Sequence, residues 1–264
     1  YTVNSELQLN ADGIPVAQRI TGISPFGATI DESFAYEDGV ASWSTAGESG
    51  SVTTDDPGFY LPTEFGSLGV TTLVQAALKN IDGELAMLPS GTARVEELTT
   101  ADVDTPDGSQ TLSLYSIAGL GFTPTYAWFD ENMEVAVLDF GGFMGMYPKG
   151  WSSEVLDQLG TIQIAEDAAM IERISGDLAH VLDTPVLFEN VDVVDVELGI
   201  LLEDHNVLVA DGKIVAVSAD PVESEDAKRI DGTGKSLMPG MWDMHGHFGL
   251  SDGVLNIAGG ITSV

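Results

Sequence analysis

The 264-residue chain contains no cysteine, which excludes disulfides, thiolate metal sites and cysteine nucleophiles. It is also poor in cations: nine lysines and arginines stand against 42 aspartates and glutamates, a formal net charge of −33. Such a surface repels phosphate backbones and anionic lipid heads, so neither a nucleic acid nor a membrane is an expected partner. Solubility in a saline or extracellular medium is the ordinary consequence. No run of about 18 apolar residues occurs, so no spanning helix is predicted. The start also lacks a charged segment followed by an apolar one, so any export signal is expected to have been removed. Tyr1-Thr2-Val3 reads as the inside of a strand without a polar lead-in, and the natural chain is expected to begin upstream.

What is present suffices for folding. Hydrophobic residues make up 44% and charged residues 19%, which excludes intrinsic disorder. Hairpin signals punctuate the first half: Ala11-Asp12-Gly13, Glu37-Asp38-Gly39 and Asp130-Glu131-Asn132 each separate strand-like runs. They predict an antiparallel meander over residues 1–150, a twisted sheet with a helix on one face. That helix is expected to be capped by Ser67, to place Leu68, Leu73, Val74, Ala77 and Leu78 near helical spacing, and to stop at Asp82-Gly83.

Residues 151–184 predict one long helix, or a helical hairpin broken at Gly160, capped by Ser152 or Ser153 and ended by Thr184-Pro185. Short strands follow over residues 185–236, turned at Asp211-Gly212 and Gly232-Thr233-Gly234. Residues 237–264 form a last segment. The predicted class is α+β and mostly β, with no repeat period.

The chemistry-bearing motif is Pro239-Gly240-Met241-Trp242-Asp243-Met244-His245-Gly246-His247. If a strand runs through it, His245 and His247 share a face, and two neutral imidazoles on one side can hold a divalent cation, most plausibly zinc. Asp243 shares their parity and reads as a carboxylate behind the ligands or on a barrel floor. Trp242 and Met244 would face the other way, toward an outer helical layer. Spacing alone leaves two ordinary loop histidines as an equal alternative.

The context is a resemblance. The run Val207-Leu208-Val209-Ala210-Asp211-Gly212-Lys213-Ile214-Val215-Ala216-Val217 and the run from Ile230-Asp231-Gly232-Thr233-Gly234 through Leu237-Met238-Pro239-Gly240 to His247 resemble the start of an amidohydrolase-superfamily enzyme. Gly260-Ile261-Thr262-Ser263-Val264 resembles the second barrel strand of that family. The resemblance implies a small β-sandwich over residues 185–236, then the first strands of a TIM barrel, with His245 and His247 as the first two metal ligands. It implies a hydrolase that cleaves C–N bonds of a small amide or peptide-like substrate by metal-activated water, with one or two zinc ions in the complete enzyme.

The family's remaining ligands and its proton-shuttling aspartate come from later strands, and a barrel needs about 250 residues. The barrel is therefore incomplete here, no catalytic residue is assigned in this chain, and the chain alone is expected to be inactive. Phe26-Gly27-Ala28, Asp31-Glu32-Ser33-Phe34, Glu37 to Trp43 and Ile117 to Thr125 resemble the N-terminal extension of exported bacterial amidohydrolases. That implies a periplasmic or extracellular setting. Two readings compete: an assembly subunit that self-associates through unpaired strand edges, and a fragment left by proteolysis or truncation.

Other candidates have plainer readings. His180 and His205 are expected to be solvated residues. Trp128, Phe140, Phe143, Tyr147 and Trp151 suggest a pocket wall but more readily a packed core. The run Asp102 to Gly108 alternates hard oxygen ligands at its start, yet Pro106 and Ser113 break the calcium-loop pattern, which favours a polar loop.

Overall fold

Local turn chemistry organises the beginning of the chain in this computed structural model, which describes residues 2–24, 26–55, 57–63, 66–139, 145–178, 183–246 and 252–264. Strands β1 (Thr2–Leu9), β2 (Pro15–Ile23), β3 (Thr29–Glu37), β4 (Val40–Ser44) and β5 (Ser49–Thr53) follow one another as an antiparallel five-stranded meander. Asn10 Oδ1 accepts the backbone N–H groups of Asp12 and Ile14, each at 2.9 Å, and closes the first turn. Asp38 and Gly39 both take positive φ, 50° and 77°, the two-residue geometry that matches strand twist.

A second, seven-stranded sheet contains β6 (Phe59–Tyr60), β7 (Glu84–Leu88), β8 (Thr92–Thr105), β9 (Gly108–Ala118), β10 (Thr125–Phe129), β11 (Val135–Asp139) and β12 (Gly145–Met146) in sequential order. Between β6 and β7 runs α1 (Gly66–Ala77), and the two strands it joins are parallel. The expected single sheet is thus two sheets: the meander ends at β5, and β6 opens the second sheet, within which α1 makes the crossover to β7. Leu73, Val74 and Ala77 are fully buried as expected, whereas Leu68 and Leu78 are exposed and Ser67 lies inside the first turn, so it is not the cap. The helix ends at Ala77, short of the expected stop at Asp82-Gly83; Gly83 takes φ +66° ahead of β7, and a Cβ there would collide with the Val95 carbonyl oxygen.

Helices cover both faces of the second sheet. Tyr115, Ile117, Ala127, Phe129 and Leu138 share a core with α1, while Leu112, Leu114, Tyr126, Trp128 and Val137 share one with the start of α2 (Ser153–Leu178). Strand β8 serves both cores by changing parity. Ala93 and Val95 belong to the α1 core, Ala101 and Val103 to the α2 core, and the register slips between Glu97 and Thr99, leaving Leu98 as the extra residue. One bulged residue exchanges the faces of everything beyond it. Helix α2 is continuous through Gly160, and Ser152 Oγ accepts the Val155 N–H at 3.4 Å at its start.

The chain divides into two compact units, residues 1–168 and 169–264. In the second, β13 (Val186–Asp195), β14 (Ile200–Ala210), β15 (Lys213–Ser218) and β16 (Lys228–Asp231) form a sheet in the order β15-β14-β13-β16, and β17 (Ser236–Leu237) also pairs with β13. Asp211 and Gly212, at φ 49° and 69°, make the predicted turn. The implied sandwich is a single mixed sheet among the described residues, because β16 and β17 both add to β13 in parallel instead of starting a second layer. Then come β18 (Met241–Trp242), α3 (Asp252–Ala258) and β19 (Ile261–Ser263), and β18 pairs with β19 in parallel across α3. No closed barrel is present among the described residues.

Candidate metal centre

The candidate centre is built at the end of a very short strand. Met241 donates its N–H to the Gly260 oxygen and Asp243 to the Ser263 oxygen, each at 2.9 Å, which fixes β18 against β19. Gly240 makes that approach possible: a Cβ there would overlap the Thr262 side chain. Gly260, at φ +81°, turns the chain from α3 into β19.

The strand ends at Trp242, so the alternation expected through residue 247 does not operate. A side-chain turn takes over instead, with Asp243 Oδ1 accepting the His245 N–H at 3.0 Å. Asp243 therefore orients the backbone that carries His245, and its role is local. His245 is exposed, and His247 lies outside the described residues. Trp242 and Met244, expected to face a helical layer, are 69% and 88% exposed.

The donor chemistry of His245 suits a borderline cation such as zinc, but a stable site needs three or four donors. Among the described residues no group of three or more His, Asp or Glu side chains is placed to hold a metal ion. The described residues thus do not by themselves complete a zinc site.

The other candidates resolve as follows. His205 lies in β14 opposite Val191, with Nδ1 2.7 Å from the Glu203 carbonyl oxygen, a strand residue without ligand geometry. His180, Phe140 and Phe143 lie outside the described residues. Trp128 is fully buried and Trp151 packs beside it, whereas Tyr147 is exposed, so among the described aromatics only the two tryptophans join the core. Asp102 to Gly108 is the tip of the β8–β9 hairpin, where Asp102 Oδ1 accepts the Thr111 hydroxyl at 2.6 Å.

A polar cluster in the first unit escaped the sequence reading. Glu32, only 4% exposed, accepts the Tyr60 hydroxyl at 2.6 Å and the Thr63 N–H at 3.2 Å. Phe34 stacks on Tyr60 with centroids 4.5 Å apart, so β3 of the first sheet is fastened to β6 of the second. Burial, and then the Glu32 hydrogen bond, push the Tyr60 hydroxyl well above its ordinary pKa. Beside Thr63 is an open cavity of about 280 Å³ lined by Leu61, Met87, Leu88, Ser90 and Leu120. Its lining is mostly apolar and brings no acid–base pair together.

Comparison with known proteins gives partial matches. No family model matches the chain. A stretch of 46 residues is 44% identical to L-hydantoinase of Paenarthrobacter aurescens, 17% of this chain and 10% of that protein. A crystal structure of a prolidase complexed with N-methylphosphonate-L-proline matches at 40% identity over 23% of this chain and 15% of that one, with a TM-score of 0.22. A crystal structure of an uncharacterized protein matches with the same values. The chain spans about a tenth of the length of the curated relative it matches. The similarity is partial, and the curated relative that shares it is an L-hydantoinase. No helix among the described residues is long and apolar enough to cross a membrane.

Proposed function

We propose that residues 186–264 are the entry portion of a metal-dependent amidohydrolase acting on a C–N bond of a small amide or peptide-like substrate. The 44% identity to L-hydantoinase over 46 residues carries the reading. The parallel β18–α3–β19 unit, which has the handover expected of two successive barrel strands, supports it. His245 and His247 are the first two ligands, and the Asp243 carboxylate holds the backbone at His245. A divalent cation bound there supplies Lewis-acid chemistry that lowers the pKa of water toward neutrality. This chain's own contribution is to hold His245 just beyond β18, anchored through the Met241 and Asp243 backbone bonds to β19.

Two histidines leave the site without a proton shuttle, so the 264-residue chain by itself has no turnover. Metal-dependent hydrolysis of simple amides by the purified chain, lost in His245→Ala, would overturn that statement. The setting is periplasmic or extracellular, in keeping with the acidic, cysteine-free composition.

An assembly role has one observation in its favour. Trp242, Met244, Ile257 and Val264 are all exposed around a two-stranded sheet. Such a unit is suited to receive further strands, and a second copy is one source of them. Sedimentation analysis separates the readings: a monomer at all concentrations opposes assembly.

A further inference from the structure

Strand direction gathers one set of chain ends in the first unit. Strands β6 and β7 are parallel, and β9, antiparallel to β8 as β8 is to β7, runs the same way. The carboxyl ends of all three therefore lie on one side of the second sheet. In open sheets that contain β–α–β units, the crevice outside those ends is the usual seat of a ligand.

The open cavity of about 280 Å³ lies there. Leu61, Pro62 and Thr63 follow β6, Met87 and Leu88 are the last residues of β7, and Ser90 stands in the turn after it. The end of β9 adds Gly119 and Leu120. Two backbone features shape the opening. Met87 donates its N–H to the Gly91 oxygen at 3.0 Å and closes the turn that carries Ser90. Gly119, at φ +92°, lies so close to β8 that a Cβ would overlap the Thr92 carbonyl oxygen.

Walls and rim differ in chemistry. Leu61, Met87, Leu88 and Leu120 are half-buried, and all but Leu88 also pack on the α1 core. Thr63 and Ser90 are exposed and bring hydroxyls to the rim. Among the described residues that line the cavity none is charged. The buried Glu32 carboxylate is taken up by the Tyr60 hydroxyl and the Thr63 N–H, so it holds the rim without joining the lining. A charged group entering here would lose water without gaining a partner. The net charge of −33 repels anions in addition. An apolar cavity of about 150 Å³ accepts benzene, so about 280 Å³ leaves room for a ring and a polar head.

We propose that this cavity binds a small uncharged amphiphile, an apolar ring or short chain bearing one hydroxyl or amide group. Its apolar end lies between Leu61, Met87, Leu88 and Leu120, and its polar end meets the Thr63 and Ser90 hydroxyls.

Met87 supplies the readout. In the intact chain with isotope-labelled methionine methyl groups, 2-phenylethanol shifts the Met87 signal, assigned through Met87→Leu, along a saturating curve. The signals of Met238 and Met244, both exposed, stay in place. Phenylacetate, the same ring with an anionic head, binds at least about tenfold more weakly. Leu120→Trp occupies the cavity and abolishes the response, with a circular dichroism melt to show that the variant folds. Absence of a saturating Met87 shift up to the solubility of the alcohol would overturn the proposal, whatever the variant does. Equal binding of phenylacetate would contradict the uncharged class, and equal shifts at Met238 and Met244 would show adsorption without a site. A folded Leu120→Trp that still responds would place the binding elsewhere.

Discussion

Tyrosines do much of the work that cations do in less acidic proteins. The ion pairs Arg19–Asp31, Arg94–Glu84 and Arg229–Glu189 are all substantially exposed, so each contributes little. Tyr60, Tyr115 and Tyr126 instead donate to Glu32, Glu97 and Asp167. Burial pushes all three hydroxyls up, and the neighbouring carboxylates push them further, Tyr115 to about 12. Tyr60→Phe removes one of the two hydrogen-bond donors to the buried Glu32, and about 1–3 kcal/mol of stability should go with it, measured by denaturant unfolding. The alkaline limb follows by sign. A tyrosine whose folded pKa exceeds its unfolded value of about 10 releases its proton first in the unfolded state. Stability is therefore intact below pH 10 and falls as the pH rises toward 12. An absorbance titration should show these three of the six tyrosines ionising together with unfolding, not ahead of it. These pairs were illegible in the sequence, because Glu32 and Tyr60 lie 28 positions apart and neither position carries a local signal. The turns at Asp38-Gly39 and Asp211-Gly212 were legible because their positive φ angles are a two-residue matter.

At the scale of elements, the bulge at Leu98 lets odd-numbered residues of β8 serve both cores. Deleting Leu98 would join Glu97, opposite Tyr115, directly to Thr99, opposite Leu114, so the ladder becomes regular and Ala101 and Val103 stay on the α2 core. The deletion variant should keep its cooperative thermal transition, as followed by circular dichroism, at a midpoint lowered about as much as in Leu98→Ala, because both lose only the packing of the Leu98 side chain; loss of the transition would contradict this. Strand positions in the first half were largely predictable from turns and apolar runs. The parity change was not, since periodicity within β8 reads the same on both sides of the slip. The parallel β6–β7 pair was likewise hidden, because Phe59-Tyr60 is too short to register as a strand. For the candidate centre, the motif itself was legible, but the end of β18 at Trp242 was not. Asp243 competes with the strand for the backbone through its bond to His245 N–H.

The whole molecule carries a net charge of −33, and its self-repulsion opposes the folded state. The Debye length falls from about 30 Å at 0.01 M to about 8 Å at 0.15 M salt. The melting temperature should rise over that range and then flatten, and a melting temperature independent of salt would show the acidic surface to be energetically neutral. The same charge complicates any metal measurement, because 42 carboxylates attract cations without a site. The central claim, that His245 and His247 begin a zinc site, is therefore best tested by zinc titration calorimetry in 0.5 M sodium chloride, on the chain and on its His245→Ala/His247→Ala double variant. The account predicts weak binding of about one zinc per chain that disappears in the variant. Identical zinc binding by the two proteins would contradict it.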